Sequence, residues 1–354
     1  MLTGQQSTTG NYTAVAEEVK LFTLENKAGT KLIVSNYGAA VLSLFVKDRY
    51  GKLADIVLGY DDITAYAADE YYIGTVVGRY ANRIAGETVF INGNDYKLPV
   101  KEGGYHLHGG QSGFNKKIFD AAPFQQHNKK GIVFTYSSPH MEEGFPGELT
   151  LEVIYTLDDD NAWTVEYKAV SNRDTLINLT QHSYFNLSGN LQSPVDGHEL
   201  KILSHWYLPV NDMQVPTGEI KDVDNTVFDF TSFKKIGKEI AADDAQLKLS
   251  SGYDHSFVLE KQHSAHLKHA AVVKEYMSGR KMDVYTTEPA IHFYSGNFLN
   301  EIKGKADVVY NERSGLCLET QHFPDAPNHP HFPSTVLAAG DNFYSKTVFK
   351  FSVE

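Results

Sequence analysis

The sequence predicts an all-β protein, a large antiparallel β-sandwich with few short helices. Three observations lead there. Short runs alternate apolar and polar side chains along most of the chain, the period of a strand with one buried face. Turn signals built from Asn, Asp and Gly separate those runs. Aromatic residues are abundant, with Tyr 21 and Phe 20 among 354 residues, and they favour the pleated surface of a sheet.

In chain order, residues 19–24 and 31–35 flank Asn26-Lys27-Ala28-Gly29, a hairpin signal. Residues 41–46 run into the turn Asp48-Arg49-Tyr50-Gly51 and then a strand at 54–58. A short helix is expected over 61–68, with Asp61-Asp62 near its start. Residues 88–91 and 96–98 are joined by Asn92-Gly93-Asn94, again a hairpin. The clearest pair lies in the middle. Leu149, Leu151, Val153, Tyr155 and Leu157 alternate with polar residues, as do Trp163, Val165, Tyr167 and Ala169, so one face is wet. The intervening Asp158-Asp159-Asp160-Asn161 lacks the spaced acidic ligands and closing Glu of a calcium loop and reads as a solvated turn. Further strands are expected at 256–259, 271–273, 281–286, 290–294, 315–321 and 348–353, and the best helical candidate is 234–242. No Pro/Ser/Gly-rich linker and no repeat divides the chain, so one domain over 1–354 is expected, with 1–12 a flexible extension.

Composition excludes several function classes. Hydrophobic residues are 42% and charged residues 21%, which supports a packed core rather than disorder. The net charge is -12 and no basic run exists, so nucleic acid is not an expected partner. No apolar run approaches the roughly 20 residues of a membrane span. Cys317 is the single cysteine, so no internal disulfide can form. That fits a reducing, cytoplasmic setting, although a disulfide-free exported protein would look the same. Met1 to Gly10 are polar and do not read as a signal peptide, unless a longer precursor was trimmed.

One stretch organises the chemistry. In Asn178-Leu179-Thr180-Gln181-His182-Ser183-Tyr184-Phe185-Asn186-Leu187, the residues Ile177, Leu179, Phe185 and Leu187 share one face. Asn178, Thr180, His182, Tyr184 and Asn186 share the other, a row of groups able to donate and accept. Such a row suits a neutral, hydroxyl-rich ligand; the alternative is a buried ladder that satisfies itself. A second strand places Cys317, Glu319 and Gln321 on one face and Leu316 and Leu318 on the other. Desolvation would raise the Glu319 pKa and make it a usable general base; the alternative is a surface Glu on an edge strand.

Other candidates are weaker singly. His108 sits beside Gly109-Gly110, which lets backbone approach a ligand. His106 and His108 form a His-x-His pair, and His322, Asp325, His329 and His331 are conceivable further metal ligands. One pair does not make a zinc site, so no metal is expected. Asn82-Arg83 offers an amide and a guanidinium fork. Asp254 follows Gly252-Tyr253, and His292 and Tyr294 share a strand face. Each also has an ordinary reading as a turn or surface residue.

Together these segments resemble the galactose mutarotases, or aldose 1-epimerases. The resemblance rests on Gly78-Arg79-Tyr80-Ala81-Asn82-Arg83-Ile84, Leu107-His108-Gly109-Gly110, Gln181-His182-Ser183-Tyr184-Phe185-Asn186-Leu187, Tyr253-Asp254-His255, Phe293-Tyr294-Ser295-Gly296-Asn297-Phe298 and Leu318-Glu319-Thr320-Gln321, in family order. It implies the galactose mutarotase-like β-sandwich with a sugar cleft on one sheet. It also implies interconversion of α and β aldohexoses without cofactor or metal, by a monomer or homodimer acting on a free sugar. It places the acid at His182 and the base at Glu319, with sugar-binding roles at Asn82, Arg83, His108, Tyr184 and Asp254. Position 292 departs from the pattern, with His where the family has Gln, so His292 is a binding candidate whose charge varies with pH. These segments hold no additional Arg or Lys for a phosphate. The expected pH profile is a bell, with the acid limb from protonating Glu319 and the alkaline limb from deprotonating His182. Two rivals stay open: a sugar-binding module without activity, and a metal-dependent sugar enzyme that chelation would stop.

Overall fold

A computed structural model describes residues 18–259 and 266–354. The expected extension at 1–12 lies outside the described residues. Strand is the dominant regular structure, arranged in antiparallel sheets. The largest has nine strands, with neighbours in the order Asp120–Gln126, Lys129–Ser138, Leu149–Asp158, Ala162–Ser171, Asn342–Val353, Arg280–Thr286, Lys268–Lys274, Glu199–Ile202 and Lys234–Lys235. A five-stranded sheet follows the order Lys221–Asp222, Trp206–Tyr207, Asp254–Val258, Ala290–Tyr294, Cys317–Gln321. A four-stranded meander runs through Leu21–Glu25, Lys31–Ser35, Val41–Lys47 and Leu53–Asp55.

The main core lies between the layers. Trp163, Val165 and Phe349 of the nine-stranded sheet share one buried cluster with Leu32, Val34 and Leu44 of the meander and with Phe257, Phe293 and Leu318 of the five-stranded sheet. Trp163 stacks on Phe349 at 4.9 Å between centroids, and Phe349 meets Phe185 at 5.3 Å. Burying a Phe-sized side chain is worth roughly 1.5–3 kcal/mol. These contacts therefore hold the apolar face of the 177–187 segment firmly enough to position its polar face.

The hairpins follow the turn chemistry. Thr88–Ile91 pairs with Asn94–Lys97, Ile91 opposite Asn94. Asn92 and Gly93 between them both have positive φ, 44° and 91°. The expected helix at 61–68 shortens to Ala65–Ala68. The expected helix at 234–242 is absent: Lys234–Lys235 is an edge strand followed by a single 3-10 turn, Ile236–Lys238. The helix lies instead at Ala245–Ser250, where the Asp244 side chain accepts from the Gln246 and Leu247 N–H groups. Asp120–Gln126 and Lys129–Ser138 are strands that the sequence reading passed over.

Candidate active site

Three neighbouring strands supply Asp254, His292, Tyr294 and Glu319, and their register explains why. Asp254 lies opposite Tyr294, and Tyr294 opposite Cys317; two residues along, Ser256, His292 and Glu319 line up in the same way. Alternation sends these six to one face. Phe257, Ile291, Phe293 and Leu318 point the other way into the core.

His182 and Tyr184 reach the same face from the 177–187 segment. Thr180–Gln181 pairs with Val76–Val77. Beyond it the His182 N–H donates to the Thr75 carbonyl at 2.9 Å, and Phe185 and Leu316 exchange backbone bonds at 2.7 and 2.9 Å. Two of the five residues in the expected polar row are structural. Asn178 bonds the backbone of Ala81 and His322, and Asn186 bonds the carbonyls of Ser193 and Ser314. The self-satisfied ladder is thus the correct reading of those two residues, whereas His182 and Tyr184 line the pocket.

Asn82, Arg83 and His108 come from a pairing of Arg83–Ala85 with Tyr105–Leu107. Asn82 and His108 both adopt positive φ, 64° and 51°. The Asn82 backbone N–H donates to His108 Nδ1 at 3.2 Å. Burial, then the neighbouring charges of His182 and Arg83, hold His108 well below the usual histidine range. The ring is neutral with Nδ1 accepting, so its proton sits on Nε2. Gly109, at φ 84°, makes this turn possible: a Cβ there would lie 1.8 Å from the Gly78 carbonyl oxygen. Gly109→Ala is therefore expected to cost on the order of 3 kcal/mol in thermal or urea unfolding, from positive-φ strain and overpacking together. An unchanged unfolding midpoint would refute that reading of the close approach.

The resulting cleft has a volume of about 200 Å³ and brings together Asn82, Arg83, His108, His182, Tyr184, Asp254, His292 and Glu319, every residue expected at the site. A wider groove, about 780 Å³, passes the turn Asp159-Asp160-Asn161, but surface charges line it. His182 Nε2 is 3.6 Å from Glu319 Oε1, with both side chains almost fully buried. Asp254 Oδ1 sits 2.6 Å from His292 Nε2, and Oδ2 lies 3.5 Å from Arg83 Nη2. His292 Nδ1 meets Ser256 Oγ at 2.9 Å, so both nitrogens of that ring have partners. Tyr184 donates its hydroxyl to the Tyr71 carbonyl at 2.9 Å and packs its ring 5.1 Å from His182.

Electrostatics divides the carboxylates. Burial pushes Glu319 well above the carboxylate range, helped by the Asp254 charge and opposed by Arg83. Burial also pushes Asp254 up, but the Arg83 charge and the His292 hydrogen bond outweigh it and leave Asp254 ionised. Burial pushes His182 down to about 4. Glu319 Oε2 and Arg83 Nε are buried without a hydrogen-bonding partner in the protein. Buried polar atoms of that kind call for an explanation, and these two lie on residues that line the cleft.

The metal candidates do not converge. His106 Nδ1 lies 2.8 Å from the Pro99 carbonyl and His108 lines the cleft. His322 faces Glu288 at 2.7 Å, His329 faces Asp325 at 3.1 Å, and His331 meets the Gly218 carbonyl at 2.7 Å. Sequence reasoning missed Ser256, Gln214 and Lys101. Ser256 was legible, two residues after Asp254 on one strand. Gln214 accepts from Arg83 Nη2 and donates to the Leu249 carbonyl at 2.9 Å, but it sits in a tight turn with no local pattern. Lys101 lines the cleft beside Glu70, so its charge is offset.

A β-sandwich with a buried histidine, a raised carboxyl and hydroxyl-matching groups in one cleft is that of an acid–base enzyme for a polar, uncharged ligand. The chain belongs to the aldose 1-epimerase family, whose profile matches residues 20–350. It is 42% identical to galactose mutarotase of Bos taurus over 325 residues, 90% of each chain. It is 37% identical to aldose 1-epimerase of Escherichia coli (strain K12), over 95% of this chain and 96% of the other. The solved structure of an aldose epimerase homologue from C. elegans superposes with a TM-score of 0.85 at 31% identity, covering 95% and 99%. That of galactose 1-epimerase from Lactobacillus acidophilus gives 0.84 at 28% identity, covering 95% of each.

Proposed function

We infer that the protein interconverts the α and β anomers of aldohexoses such as galactose and glucose, by ring opening and reclosure. The observation that carries the assignment to residues is the buried His182–Glu319 pair, 3.6 Å apart in a cleft of hydroxyl-matching groups. That separation is too long for a direct hydrogen bond. Both side chains line the cleft, so each can bond a sugar oxygen from the cleft side. Glu319, as carboxylate, takes the proton of the anomeric hydroxyl, and His182, as imidazolium, gives one to the ring oxygen. The C1–O5 bond breaks and the C1 carbonyl forms. Rotation about C1–C2 presents the other carbonyl face, and reclosure returns both protons.

The pair holds one proton between its members throughout. Carboxylate with imidazolium and carboxylic acid with imidazole contain the same number, so pH does not distinguish them. Burial favours the second arrangement in the free cleft, and sugar hydroxyls bonding the carboxylate favour the first. Asp254, Arg83, Asn82 and the Nε2–H of His108 hold the hydroxyls beyond C1. Arg83 and Lys101 are offset by Asp254 and Glu70 around the cleft, which supports a neutral sugar over a phosphorylated one.

His292→Gln is expected to keep kcat within about tenfold and change mainly KM or the galactose-to-glucose ratio, because His292 acts through Asp254 rather than on C1. A collapse of kcat at unchanged KM would place His292 in proton transfer instead. Polarimetry on freshly dissolved α-galactose and α-glucose tests the function itself, with and without EDTA. No acceleration would sink the reading, and loss on chelation restored by zinc would replace it with a metal mechanism. A cytoplasmic location belongs to the same reading, supported by the single thiol, and cell fractionation tests it.

A further inference from the structure

His182 faces two partners with two nitrogens. Nε2 looks toward Glu319 Oε1 at 3.6 Å, and Nδ1 lies 3.6 Å from Cys317 Sγ. Cys317 and Glu319 are two residues apart on the strand Cys317–Gln321, so alternation sets both in front of one ring. Cys317 is fully buried, and burial pushes its thiol up, so the sulfur is uncharged. The other acceptor within reach of the ring is the backbone carbonyl of His182 itself, which also receives the Gly74 N–H at 3.0 Å.

A neutral imidazole carries one N–H. It can take and return a proton at Nε2 only while that N–H stays on Nδ1. Something must then accept the Nδ1–H. We propose that Cys317 is a positioning residue whose thiol sulfur accepts the Nδ1–H of His182, holding the tautomer that leaves the Nε2 lone pair free for proton exchange. The proposal rests on His182 being the residue that exchanges a proton with the sugar. The choice of sulfur has a chemical consequence. A carboxylate at Nδ1 would stabilise the imidazolium and make it a weaker acid. A thiol is a weak, neutral acceptor, so the ring is oriented while its protonated form stays ready to give the proton up.

The tautomer is measurable without turnover. Nitrogen-15 shifts of the two ring nitrogens, in histidine-labelled protein near neutral pH, report which one is protonated. The His182 signals are assigned by their loss in His182→Asn. In the wild type, Nδ1 is expected to be protonated and Nε2 bare. In Cys317→Ala the ring is expected to become a mixture of tautomers, with kcat lower by about tenfold, the low end of what loss of a histidine's outer partner costs, and KM little changed. Cys317→Ser, which keeps an acceptor, should recover most of both. An Nε2-protonated ring in the wild type overturns the proposal. So does Cys317→Ala with Nδ1 still protonated, whatever its kcat, because the thiol would then act through packing alone. A protein that fails to epimerise sugars yet shows the Nδ1–H tautomer sinks the functional reading and keeps this contact, so the two failures are distinct.

Discussion

Glu319→Gln is expected to lower kcat by ~10²–10⁴, the usual contribution of a positioned acid or base. At about 1.36 kcal/mol per tenfold, that is roughly 3–5 kcal/mol of barrier. The same change should raise the melting temperature at neutral pH. The reason is linkage. Burial holds the Glu319 carboxyl well above the carboxylate range, whereas the unfolded chain titrates it near ~4.3. Between those values the folded state binds more protons than the unfolded state, so stability falls as pH rises through the window. A glutamine is neutral in both states and escapes that cost. The mutant's advantage should therefore be largest at neutral pH and vanish as pH approaches about 4, where both states of the wild type are protonated. Polarimetry and a series of thermal melts across pH check both halves. Near wild-type kcat with an intact fold would remove Glu319 from the mechanism. A melting temperature below wild type at every pH would show that its ionised form is stabilised in the fold.

The sequence made the functional strands legible because alternation there coincides with chemistry. Glu319 between Leu318 and Thr320, and His292 between Ile291 and Phe293, could face the core only at great cost, so their face had to be special. The same logic overreached at Asn178 and Asn186. Their amides look like ligand groups in the sequence, yet each fills backbone donors and acceptors where short segments meet without a full ladder. Periodicity cannot see such irregular backbone, because partners such as the Ala81 and Ser314 carbonyls lie 97 and 128 residues away. Lys234 to Lys238 misled for a related reason: an edge strand and one 3-10 turn in succession imitate helical spacing. Gln214 and Lys101 were out of reach because turns carry no period. The six family segments supplied what pattern alone left open, the pairing of His182 with Glu319 across the chain.

His182→Asn is expected to match Glu319→Gln in size, about 10²–10⁴ in kcat, because asparagine keeps hydrogen bonds but moves no proton. If the two residues share one proton in a concerted step, the double mutant should lose much less than the product of the single losses. The pH dependence follows from the same pair. Burial holds His182 at about 4 and Glu319 above the carboxylate range. The one-proton state of the pair therefore spans neutral pH. Activity should fall toward pH about 4 as a second proton enters at His182. It should fall on the alkaline side as Glu319 gives up its proton. For kcat/KM, which reports the sugar-free cleft, the limbs are thus the reverse of the sequence-based expectation, which put Glu319 on the acid side. Stability carries the matching sign. The folded value of His182 lies below its unfolded ~6.5, so the unfolded state binds more protons between the two, and stability is lost as pH falls through that window. His182→Asn should flatten that acid-side decline. Losses that multiply fully in the double mutant would show two independent roles rather than one shared proton, and an acid limb near neutral pH would show that the sugar-free cleft already holds the imidazolium.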